Sequence, residues 1–319
     1  MARFIARRLL ISIPTLIVIS FVVYAILALA PGDPLSQFAA NPNVPPEVRE
    51  NIRHALGLDQ PWYIRYVKWL IALSSGDFGF SFMSHSPVRD LLLQRLPNTL
   101  AVVGVAYIIG IALGVPIGVI SAVKRYSITD HAATTLAFMG ISVPTFFTGL
   151  LLIIVFSVNL RWFPFIYDST LKINDLESLL VQVKQSIMPI MVLALADTAV
   201  LTRYVRAEML ERLPLDYVRT ARAKGLHERF VIVRHVLRNS LIPVVTLVAL
   251  GIPAVFAGAI VTEQIFRVPG IGELLVRSIG DSDIPVVAAI VFLFAVLVVL
   301  FNLIADVLYA VLDPRIRYS

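Results

Sequence analysis

The sequence predicts an all-α integral membrane protein with six membrane-spanning helices. Two observations carry this reading. Hydrophobic residues make up 58% of the 319 residues and charged ones 15%, whereas soluble domains hold about 45–50% apolar and about 25% charged residues. The apolar residues are also gathered into long uncharged runs, on the scale of the roughly 20 residues a helix needs to cross a bilayer.

Residues 9–30 carry no charge and, as a helix, span about 33 Å, enough for a hydrocarbon core of about 30 Å. The start MARFIARR with Ala28-Leu29-Ala30 imitates a secretory leader. Its apolar run exceeds the about 7–15 residues of a leader core, so we read an uncleaved first span. Residues 31–98 are polar and open on PGDP. They include PPEVRENIRHALGL and PWYIRYVKWLIAL, the latter clustering Trp62, Tyr63, Tyr66 and Trp69. Two readings fit: an amphipathic segment at the membrane interface, which aromatic side chains favour, or a docking surface for an outside partner.

The second span covers 99–123 and ends at Lys124 and Arg125. The third covers 132–160, long enough to tilt. Residues 161–185 are polar and mixed in charge. The fourth span, 186–202, is short and contains Pro189 and Asp197. The fifth covers 240–262; residues 263–283 leave the membrane; the sixth begins at 284 and runs on to about 312. Residues 1–98 thus form an N-terminal span with an extracytoplasmic segment, and 99–319 form the core.

Between spans four and five lies the most basic stretch, residues 203–239, with nine of the 27 Lys and Arg. Gly, Pro and Ser are too few for a floppy linker. The residues around Ala221 and Ala223 favour helix, Gly225 interrupts, and Phe230, Val233 and Leu237 recur at helical spacing. The pattern predicts helix, turn, helix. With six spans both termini share one side. That side carries 16 Lys and Arg and a net charge of +10, and the opposite side a net charge of −2. The positive-inside rule places the termini and the central loop in the cytoplasm.

Several chemistries lack their residues. No cysteine is present, which excludes disulfides, thiol catalysis and thiolate metal sites. There is no phosphate-binding G-x-x-x-x-G-K-[ST] loop, and Pro269-Gly270-Ile271-Gly272 lacks the third glycine of a dinucleotide site. The five histidines show no metal-ligand spacing. Asp197 and Asp306 are the only acids inside apolar runs, fewer than an ion-coupled pump normally carries. The basic loop lacks the interleaved aromatic residues that stack nucleic-acid bases. Three roles fit Asp197: lining a water-filled path, pairing with a neighbouring helix, or contacting a second subunit.

YVRTARAKG (217–225), continued by RHVLRNSLIPVVT (234–246), resembles the cytoplasmic EAA loop of ABC-importer permeases. More narrowly, it is similar to the first permease subunit of dipeptide and oligopeptide importers. ARRLLISIPTL with PGDP, QRLPNTL, ISVPTFFTGLLL, TEQIFRVPGIGELLVRSIGDSDIPVV and LYAVLDPRIR extend the resemblance, in order, over nearly the whole chain. The general EAA pattern is departed from: its Glu-Ala-Ala becomes Arg219-Thr220-Ala221, so Arg219 cannot make the family's acidic contact to the ATPase.

The resemblance implies a type I ABC-importer permease fold in a bacterial inner membrane. It implies transport of di- or oligopeptides, with glutathione, nickel chelates or oligosaccharides as alternative cargo. It implies a homologous second permease, one or two ATP-binding subunits holding ATP and Mg, and an extracytoplasmic substrate-binding protein. No catalytic site, cofactor or nucleic-acid partner is assigned to this chain, and lipid surrounds it. The coupling element to the ATPase then comprises Tyr217, Arg219, Thr220, Ala221, Arg222, Ala223, Gly225, Leu226, Phe230, Arg234, His235 and Leu237. Asp197, Ser142, Pro144 and Thr145 are the candidate residues of the translocation path. An ion-driven secondary transporter is the more distant alternative.

Overall fold

A computed structural model describes residues 2–29, 45–55, 57–168, 171 and 174–312. PGDP and the last seven residues lie outside them. The described helices are α1 (Ala2–Leu29), α2 (Pro46–Ala55), α3 (Trp62–Ser74), α4 (Val88–Val123), α5 (Ile128–Ser142), α6 (Thr145–Leu152), α7 (Leu176–Arg212), α8 (Asp216–Ala223), α9 (Glu228–Phe230), α10 (Arg238–Phe266), α11 (Ile271–Gly280) and α12 (Ile284–Leu312). Two π-helical stretches, Ile153–Asn159 and Val231–Leu237, continue α6 and α9. Among the described residues, five helices are long and apolar enough to cross a membrane, or six when one bent pair counts as a single span.

That bent pair is the expected third span. Instead of one tilted helix, α5 and α6 with its π-helical continuation meet at 103°. Val143 is extended (φ −84°, ψ 122°) because a residue preceding proline avoids the helical region. Pro144 then starts α6 at its own fixed φ, −59°. The expected fourth span is longer than its apolar run. Asp175 and Ser178 close a reciprocal capping box at the start of α7. The Ser178 backbone N–H and hydroxyl hold the Asp175 carboxyl below the usual carboxylate range. The helix then continues through the polar RYVRAEMLER to Arg212. Hydropathy marks where a helix meets lipid, not where its hydrogen bonds stop.

The chain divides into two units. The first comprises residues 1–97 and 273–299. Its core gathers Tyr24, Tyr66 and Ala288, with Trp69 and Leu70 packed beside them. Tyr66 donates to the Ile17 carbonyl at 3.1 Å and shares a hydrogen bond with Ser20 at 3.0 Å, tying α3 to α1. Asp283, 2% exposed, organises the loop before α4: it accepts from Ser81 Oγ at 2.5 Å and from the Phe82 backbone N–H at 3.1 Å.

The second unit comprises residues 98–272 and 300–319. Here α4 and α7 approach through Gly110, Gly114 and Gly118, spaced four apart on one helix face. A Cβ on these would lie 2.6 Å from Asp197 Cβ, 2.8 Å from Leu201 Cβ and 2.8 Å from the Thr202 carbonyl, respectively. Small residues at this spacing let membrane helices pack backbone to backbone. The Pro-Gly-Ile-Gly segment also finds its explanation. Glu263, 1% exposed, accepts from Thr99 Oγ1 and from the Gly272 backbone N–H, each at 2.7 Å. Thr99 Oγ1 in turn accepts from the Ile271 N–H at 2.8 Å. A side chain at Gly270 would run into the Glu263 carboxylate.

Candidate functional site

The basic stretch folds as the sequence pattern requires, with one addition. α7 ends at Arg212, a Leu213-Pro214-Leu215 corner turns the chain, and α8 follows. Val218 and Ala221, one turn apart, are buried among Val205, Met209, Val231 and Val236. Tyr217, Arg219, Thr220, Arg222 and Ala223 remain exposed. The α8 face is therefore divided: an apolar stripe holds it to the chain and a polar stripe is presented outward.

α8 ends on a left-handed glycine. Gly225 has φ +75°; its N–H donates to the Arg222 carbonyl at 2.9 Å, and the Leu226 N–H reaches the Ala221 carbonyl at 3.4 Å. This paired closure is the Schellman arrangement, which requires positive φ at the glycine position. Across the turn, Arg222 and Glu228 form a bidentate pair, Nε–Oε2 3.1 Å and Nη2–Oε1 2.7 Å. Arg222 is thus partly committed within the loop. Lys224, Arg229, Arg234 and Arg238 make no ion pair among the described residues. Leu226 and Phe230 are exposed; the Phe230 ring meets His235 edge-on at 5.7 Å. His235 and Leu237 are half-buried, and Leu237 packs against the same core as Val218.

Sequence reasoning missed the anchor above the loop. Asp130, at the start of α5 and 2% exposed, receives both Nε and Nη2 of Arg206 at 2.7 and 2.8 Å. It also accepts from Ser121 Oγ, from the Tyr126 N–H at 2.9 Å and from Thr134 Oγ1 at 3.3 Å. Five donors thus converge on one carboxylate, fixing the α4–α5 turn to α7. Asp130 and Arg206 lie 76 positions apart in sequence, and no local pattern links them.

Further along α7, a cavity of about 270 Å³ is lined by Tyr107, Thr145, Asp197, Leu247 and Gly251 among others. Two of the four expected path residues, Asp197 and Thr145, therefore meet. Ser142 and Pro144 form the break before α6 and are exposed, outside the cavity wall. Asp197 Oδ2 and Thr198 Oγ1 are buried with no hydrogen-bond partner among the described residues. The Tyr107 hydroxyl is already committed to the Val248 carbonyl at 2.5 Å. Among the described residues, no Lys or Arg lines the cavity. Among the described residues, no group of His, Asp and Glu could hold a metal ion.

Residues 114–318 match the family described as binding-protein-dependent transport system inner membrane component, and residues 1–103 match its N-terminal membrane component. The chain is 45% identical to the oligopeptide transport system permease protein AppB of Bacillus subtilis (strain 168), with both chains covered completely. Over full length it is 40% identical to the di/tripeptide transport system permease protein DppB of Pseudomonas aeruginosa (strain UCBPP-PA14). The glutathione transport system permease protein GsiC of Escherichia coli (strain K12) is 39% identical, again over both whole chains. In structure, a chain of the inward-facing MetNI methionine ABC transporter is similar, with TM-score 0.53 and 18% identity. The match covers 70% of this chain and 96% of that one, a likeness of fold.

Proposed function

The chain belongs to the family of binding-protein-dependent transport system inner membrane components, and from that premise we propose that it is the permease subunit of an ATP-driven peptide importer. It forms half of the translocation path, with a homologous permease supplying the other half. An extracytoplasmic binding protein delivers the peptide, and ATP-binding subunits dock on the cytoplasmic loop. Both termini are cytoplasmic in this reading. The chain contributes path and coupling, and hydrolysis belongs to the partner subunits.

The observation that carries the proposal is the continuity of α7. One helix runs from Asp197 in the cavity to Arg212 at the loop, a lever of about 22 Å at the usual helical rise. Beyond a single corner, α8 is held by Val218 and Ala221 and presents Tyr217, Arg219, Thr220, Arg222 and Ala223 outward. Movement of a partner ATPase against that face can displace α7, and with it the cavity wall. Ala221 and Leu237 serve by holding the helix in place. Gly225 closes it, and Leu226, Phe230 and Arg234 offer contact surface. Ser142 and Pro144, at a backbone break beside Thr145, suit a part of the path that changes shape.

Peptide cargo is favoured by the names of the relatives at 45% and 40% identity. Glutathione, itself a short peptide, is the second reading because the GsiC relative is almost as similar. The test is uptake by the importer reconstituted with its partner subunits, using di- to octapeptides and glutathione. We expect ATP-dependent uptake of at least one peptide class, and Asp197→Asn should change its rate or selectivity while the complex still assembles. Uptake that needs no ATP would overturn the importer reading. Unaltered transport of the full panel by Asp197→Asn would assign that residue to structure.

A further inference from the structure

We propose that the first unit contains a binding site for an anionic phospholipid headgroup, formed by Arg65, Lys68 and Trp69. A pocket of about 440 Å³ lies there, lined by Tyr24 of α1, by Arg65, Lys68 and Trp69 of α3, and by His54, Gln60 and Phe80 among others. Two donors in it are orphaned. Arg65 Nε and Trp69 Nε1 are buried and meet no acceptor among the described residues. A buried donor left without a partner is costly, and two in one pocket point to an acceptor brought from outside.

The charge around the pocket specifies that acceptor. No Asp or Glu is among the lining residues. The nearby carboxylates are engaged elsewhere: Asp59 bonds His54 Nδ1 at 3.0 Å, and Glu50 lies 3.4 Å from His54 Nε2 and 3.9 Å from Arg53. Among the described residues, Lys68 Nζ donates only to the neutral Gln60 Oε1, at 2.7 Å. The pocket is therefore lined by two cationic side chains and an indole with no carboxylate among the lining residues, chemistry suited to the oxygens of a phosphodiester.

The surroundings favour a lipid over a free anion. α3 carries Trp62, Tyr66 and Trp69 against Phe21 and Tyr24 of the apolar α1, aromatic side chains of the kind that favour the membrane interface. Val22, Ile26, Tyr63, Val67 and Ile71 of the same two helices are exposed. These present an apolar surface to acyl chains on the same two helices that line the pocket.

The experiment is native mass spectrometry of the purified importer complex titrated with dioleoyl phosphatidylglycerol, with dioleoyl phosphatidylcholine and with inorganic phosphate. The wild-type complex should retain phosphatidylglycerol in preference to phosphatidylcholine. Arg65→Gln should weaken that retention about tenfold, Arg65→Lys should restore part of it, and Trp69→Phe should weaken it severalfold. Trp69→Phe removes one N–H and keeps the ring, so it decides the matter if Arg65→Gln fails to assemble. Equal lipid retention in wild type, Arg65→Gln and Trp69→Phe would overturn the site. Displacement of the lipid by millimolar inorganic phosphate would overturn the lipid in favour of a free anion.

Discussion

Replacing Arg206 by Met should destabilise the chain more than any exposed charge substitution in the loop. The Asp130 carboxylate is 2% exposed and receives two of its five hydrogen bonds from Arg206. Removing one partner of a buried ion pair typically costs about 3–5 kcal/mol, because the other charge stays buried and uncompensated. Two features lower the estimate here. Ser121, Tyr126 and Thr134 still donate to Asp130, and the Arg206 side chain is 24% exposed. The loss should therefore lie near the lower end, about 3 kcal/mol. Asp130→Asn keeps the shape but accepts less from the guanidinium, at a cost of about 1–2 kcal/mol. The double variant removes both charges, so its cost should fall short of the sum by about 1–3 kcal/mol. Unfolding of the purified chain by titration with SDS in mixed micelles measures all three. Additivity within about 0.5 kcal/mol would refute the coupling and leave Arg206 as an ordinary interfacial cation. In the assembled importer, Arg206→Met should also reduce substrate-stimulated ATP hydrolysis, since the pair fixes the part of α7 that leads to α8.

Three further outcomes follow from the packing. Gly114→Val should abolish the close approach of α4 and α7, because a Cβ would sit 2.8 Å from Leu201 Cβ and 3.1 Å from the Thr198 carbonyl. Gly104→Ala on the same helix meets nothing within 4 Å and should leave thermal stability unchanged; equal loss in both would dismiss the glycine contact. Gly225→Val finds open space around its Cβ but must hold φ +75°, at about 1–2 kcal/mol of backbone strain. The complex should assemble while stimulated ATP hydrolysis and uptake fall, and wild-type values for both would return the loop to a topological role. Reporter fusions after Arg125 and within 217–238 should score cytoplasmic, and one near Asp175 external; an external score for the central loop would reverse the proposed mechanism.

Which runs form long apolar helices, how the charges are distributed and where the loop turns were legible in the sequence. These are local properties: a run of apolar residues must find apolar surroundings, basic residues mark one side of a bilayer, and a glycine after a helix permits positive φ. The sixth span illustrates this, since its expected course to about 312 matches α12. Local signals also existed for features the reading passed over. The Val143-Pro144 pair marks a helix break, Asp175 and Ser178 mark a cap, and glycines four apart at 110, 114 and 118 mark a packed face. Tertiary structure alone decided the partners. Only the fold brings Arg206 to Asp130, Thr99 to Glu263 and Asp197 beside Gly110. It also turns Ala221 inward, while Arg219 and Arg222 beside it face out. Each of these depends on which helix faces cross one another, and a side chain's neighbours across such a crossing are separated in sequence by tens to hundreds of positions.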